Sequence, residues 1–140
     1  MKKTVLKIAT ATALLTFGIS YSSASDLANL DVKKECNVQA NGIEKVLETA
    51  KKYNKISINN IVEVMRLGMN ASQYIEAVDG ALKSGAKNID IIDDKKKKTG
   101  EVTVEYGAWR ACSFAISAVT QYEEGKTNWK LASPSDGYKY

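Results

Sequence analysis

Two cysteines, Cys36 and Cys112, are all the thiol chemistry this 140-residue chain possesses, and they stand more than seventy positions apart. In an oxidising compartment an even pair at that spacing reads as one long-range disulfide. Such a cross-link demands a fold that brings an early segment against a late one. A redox-active pair would sit close together, as in Cys-x-x-Cys, and this spacing disfavours it. The chain-entropy picture gives a bridge over so long a loop on the order of 4–5 kcal/mol of stabilisation, which native strain can reduce.

The compartment is read from the first 25 residues. Met1-Lys2-Lys3 and Lys7 make a basic start, Ile8 to Ile19 is an uncharged and mostly apolar run, and Tyr21-Ser22-Ser23-Ala24-Ser25 brings small residues before Asp26. These are the parts of a secretory signal peptide, with cleavage expected after Ala24 or Ser25. A membrane span needs roughly 20 apolar residues and this run supplies about a dozen. The nearest cysteine is Cys36, too far from the cleavage region for a lipid anchor. The expectation is a cleaved leader over 1–25 and one domain over 26–140, periplasmic or secreted, without a stable membrane anchor.

Loss of the leader changes the charge. The formal net charge is +4, and removing Lys2, Lys3 and Lys7 leaves 17 basic residues against 16 acidic ones. A near-neutral chain offers little general attraction to nucleic acid, so none is expected as a partner. Histidine is absent. With it go histidine-based catalytic triads, the common zinc sites and c-type haem attachment, so no cofactor, metal or enzymatic role is expected.

One proline, Pro134, and apolar spacings of three and four favour an all-α fold of about four helices. Val32, Cys36, Ala40, Ile43, Val46, Leu47 and Ala50 share one helical face between Asp31 and Tyr53. Asn41-Gly42 interrupts that run, leaving one long helix, slightly favoured, or a new helix capped by Asn41 with Glu44 at the capping-box position. Beyond a break at Asn54-Lys55, Ser57 is a candidate cap for a second helix carrying Ile58, Ile61, Val62, Met65 and Met69. Gly68 and Asn70 offer a stop and restart. A third helix with Tyr74, Ile75, Val78, Ala81 and Leu82 ends at Ser84-Gly85. The alternation of Ile89, Ile91, Val102, Val104 and Tyr106 around Asp93 to Gly100 suits a small hairpin near 88–106 or a mobile loop. The last helix carries Trp109, Cys112, Ala115, Ile116 and Val119 to Tyr122, with Gly125 as its stop and a partly irregular tail over 126–140. The bridge then ties the first helix to the last.

Candidate chemistry is sparse. Asp90 and Glu101 have the spacing of the end ligands of a calcium loop, but Ile92 and Lys95 occupy positions that need oxygen and glycine, and Lys95 to Lys98 repel a cation. That segment reads as a solvated, self-compensating loop. Met65 and Met69 lie one helical turn apart and admit a soft metal, but core packing in the stripe with Ile58, Ile61 and Val62 accounts for both without a ligand. The glutamates, Glu63 and Glu105 nearest to apolar surroundings, form no pattern that predicts an opposed acid pair. Tyr106, Trp109 and Arg110 cluster at the start of the last helix, with Trp129, Tyr138 and Tyr140 beyond it. Tyrosine, tryptophan and arginine dominate interface hot spots. The expected function is therefore a non-catalytic binding module for another envelope or extracellular protein, of the inhibitor, immunity, chaperone or secretion-accessory kind, using Tyr106, Trp109, Arg110 and Trp129. The alternatives are a small-ligand or metal carrier built on Met65, Met69 and nearby tyrosines, and a carboxylate-based hydrolase.

Overall fold

In the computed structural model the described residues are 24–64 and 68–131, with side chains described over 26–64 and 68–126. The bulk of the expected leader, Met65 and the tail from residue 132 onward, with Tyr138 and Tyr140, lie outside them. The chain is mainly helical, with six helices and one antiparallel hairpin among the described residues.

The expected long first helix is instead three pieces: α2 (Val32–Glu35), α3 (Val38–Asn41) and α4 (Ile43–Asn59), preceded by α1 (Ala24–Ala28). The reason is local. Asp31 and Asn37 accept backbone N–H bonds as N-caps of α2 and α3, competing with a continuous helix. Gly42 then takes φ +80° and ψ 155°, where the α-helical path ends. Asn41 does not cap α4; its amide donates to the terminal carbonyls of α2, Lys34 O at 2.9 Å and Glu35 O at 3.4 Å.

Nor does Asn54-Lys55 break α4. The Asn54 side chain is buried and bonded, and Ser57 donates its hydroxyl back to Asn54 O (2.9 Å) rather than opening a new helix. No second helix forms here among the described residues: α4 passes into a turn at Asn60 and Ile61, and residues 62–64 are neither helix nor strand. Met69 is buried and Val64 packs on the core, so these two apolar positions serve the same core without sharing a described helix.

The turn after α4 is unusual. Val62 N–H donates to Ser57 O (2.9 Å) and Ile61 N–H to Ile58 O (3.0 Å), the bond pair of a Schellman motif. The residue at its left-handed position is Ile61, at φ 58° and 93% exposed. Glycine is the usual occupant, and a β-branched side chain there costs about 1–2 kcal/mol.

Helix α5 (Ala71–Ser84) has the expected extent. Asn70 and Gln73 form a reciprocal capping box, and Gly85 closes the helix in the left-handed conformation. A hairpin follows, β1 (Asn88–Ile92) paired antiparallel with β2 (Lys98–Thr103), and its end passes directly into α6 (Val104–Leu131). The turn is held by Asp93, whose carboxylate accepts from Lys95 N (2.9 Å) and Lys97 N (2.8 Å).

Helix α6 is the axis of the molecule, packed chiefly on α4 and α5. Ala108, Ala111, Cys112, Ala115, Ile116 and Val119 are buried along it. The small residues admit close approach of Val46, Leu47, Ala50 and Tyr53 from α4 and of Tyr74 and Val78 from α5. Gly125 does not stop the helix. A single exposed glycine is tolerated there, and Lys126 bridges back across it to Glu123 (2.8 Å) and to the Tyr122 ring. The Cys36–Cys112 disulfide, both sulfurs fully buried and Cα atoms 5.6 Å apart, joins the C-terminal end of α2 to α6 over 76 positions.

Candidate protein-binding surface

The direct passage from β2 into α6 sets the first turns of α6 at the molecular surface. Thr103 Oγ1 accepts from Tyr106 N–H at 3.2 Å and so caps the helix start. Residues on one side of this stretch, Val104, Ala108 and Ala111, face the core, which turns Tyr106 and Trp109 outward. Tyr106 is 42% and Trp109 37% exposed, with ring centroids 5.5 Å apart and planes tilted by 48°. Two large rings so placed form a single apolar platform.

The platform borders a cleft of about 480 Å³ whose other wall is α2 and α3, with Lys33, Asn37 and Val38 opposite Glu105, Tyr106 and Trp109. Cys36 lies in its lining, so the disulfide holds the two walls together. Lys33 and Glu105 put one charge of each sign at the rim.

Arg110 has a different setting from its neighbours. Its guanidinium lies 4.4 Å from the Phe114 ring centre and 5.8 Å from that of Trp109, half-buried between them. Phe114 in turn meets Tyr74 edge-on at 6.0 Å. Arginine here braces the aromatic row from beneath. Burial, and then the nearby Tyr106 hydroxyl, push the Tyr74 phenol above its ordinary range, against the pull of Arg110. Trp129 falls on the last turns of α6, and its side chain lies outside the described residues.

The other sequence candidates are dispersed. Met69 is buried in the core, while Met65 lies outside the described residues. No cluster of three or more histidine, cysteine or acidic ligands occurs among the described residues. Asp90 and Glu101 do face each other, in register across the hairpin, with the Lys98 ammonium bonded to both. Asn88 and then Lys98 hold the Glu101 carboxyl below its usual range.

The sequence places Glu63 near apolar residues but does not give its partners, and the side chain is half-buried. Glu63 Oε1 accepts from Ser72 Oγ (2.6 Å), Ser72 N–H (2.9 Å) and Asn54 Nδ2 (3.4 Å), tying the α4–α5 connection to the N-terminus of α5. A carboxylate at that end is favoured by the helix dipole. The sequence marks Glu63 by its apolar neighbours and Asn70-Ala71-Ser72-Gln73 as a helix start, with nothing to join the two. No protein-family model, curated protein or solved structure matches this chain.

Proposed function

We propose that this chain is an exported, non-catalytic binding module that grips another protein of the envelope or extracellular space through the Tyr106–Trp109 platform and its adjoining cleft. The observation that carries this reading is the pair of adjacent, partly exposed rings beside a disulfide-braced cleft. Rings of this kind bury much area at little entropic cost and are the usual anchors of interfaces. A cleft of this size takes one or two apolar side chains from a partner segment, with Lys33 and Glu105 pairing at its rim. The Cys36–Cys112 bridge supports export, since such bonds persist in oxidising compartments, and the leader-like start of the sequence agrees with it.

The test places a photo-crosslinking residue at Tyr106 in the native host and identifies the attached protein. Affinity for that protein, once purified, is then measured for the wild type and for Trp109→Ala. A loss of about 30-fold or more with an unchanged circular dichroism spectrum is expected of a hot-spot residue. Equal affinity of the two forms for the crosslinked protein contradicts the reading.

A further inference from the structure

The pair α4 and α5 carries a second apolar feature that the binding platform does not use. Helices α4 and α5 run antiparallel, Lys51 opposite Asp79 and Asn54 opposite Ser72, and leave between them a cleft of about 330 Å³. Ile58 and Ile75 line it, and Ile58 is 49% exposed. Just past its end stands Ile61, 93% exposed and held at φ 58° by a turn that would be relieved by glycine. Nothing inside the fold accounts for an isoleucine there.

Charge identifies what covers this surface. The α4 side of the cleft is basic, with Lys51 and Lys55, and the α5 side is acidic, with Glu76 and Asp79. Lys51 is already paired with Asp79 at 2.6 Å, whereas Lys55 and Glu76 form no ion pair among the described residues. A nucleic acid or an anionic bilayer selects a surface of one sign. A surface basic along one helix and acidic along its neighbour is complementary to itself.

We infer that two copies of this chain associate through this face about a two-fold axis running along the cleft. That axis lays α4 of each copy over α5 of the other. Each Lys55 then meets Glu76 of the second copy, and Ile58, Ile61 and Ile75 are buried between the two charge pairs. The interface is isologous, so every contact occurs twice.

The test is sedimentation equilibrium on the full, disulfide-bonded protein. The wild type is expected to form a dimer, while Lys55→Glu and Glu76→Lys, each setting like charges together twice, weaken association by about tenfold or more. Mixing these two variants in equal amounts is expected to restore the dimer, because each then meets an opposite charge at both positions. Ile61→Asn, which suits the left-handed turn but removes the apolar knob, is expected to weaken the dimer with the fold intact. A wild type that stays monomeric up to about 1 mM overturns the inference. So does a mixture that associates no better than either variant alone, the outcome expected if a different protein occupies this face.

Discussion

On the second turn of α6, Gly107 sits where a Cβ would fall 2.5 Å from Ile89 Cδ1 and 2.9 Å from Val78 Cγ2. Both neighbours are buried, so neither can swing clear. Gly107→Ala gains about 1 kcal/mol of helix propensity but overpacks this contact by about 1–3 kcal/mol. A net loss in urea unfolding is therefore expected, and shortening the neighbour with Ile89→Val recovers part of it. An alanine variant as stable as the wild type would mean that the hairpin does not press on α6 here. The need for glycine was not legible in the sequence, because it comes from a strand and a helix that are distant along the chain. Tyr106 and Trp109 were legible as candidates, since their residue types alone mark them. Arg110 was legible only as to type, and its place over Phe114 depends on how α5 meets α6.

At the scale of elements, local signals carried furthest where they were self-contained. Asn70, Gln73 and Gly85 define α5 within its own sequence, and the helix occupies the expected span. The stretch from Ser57 to Val64 misled because it is the end of α4 followed by a turn, where spacings of three and four over one or two turns require no new helix. Its true organiser, Glu63 bonded to Ser72 and Asn54, is a contact between elements. The α4–α5 pair is also tied at the surface by Asp79. Hydrogen bonds from Lys51 and Lys83 lower its pKa from 3.8 to about 2. A carboxyl depressed in the folded state stabilises it above the unfolded pKa, and that contribution is lost as pH falls from about 4 to about 2. The thermal midpoint of Asp79→Asn is expected to lie below that of the wild type near neutral pH, with the gap closing across this window. Because the pairs are exposed, the gap is small and shrinks in salt. A gap that is constant from neutral pH down to about 2 would show that Asp79 acts through packing instead.

For the whole molecule, helical class and a single long-range staple were legible from composition, spacing and two cysteines. The number of helices was not, because the caps at Asp31 and Asn37 divide a stretch whose apolar rhythm reads as continuous. Neither α2 nor α3 buries a side chain fully, yet together they form one wall of the cleft beside Tyr106 and Trp109. Cys36 is what fastens that wall to α6. Replacing both cysteines by serine is expected to cost on the order of 4 kcal/mol in urea unfolding. It is also expected to loosen α2 and α3 before the α4–α5–α6 core, as amide exchange would record. Uniform loss of protection across all helices would contradict that division.

Intact-mass analysis of the protein purified from the cells that make it, without reductant and with free thiols blocked on lysis, tests export and the staple together. The account predicts a polypeptide beginning at Ser25 or Asp26, unlabelled by the thiol reagent and two hydrogen masses lighter than its reduced form. A chain that still begins at Met1 and carries two labelled thiols would contradict it.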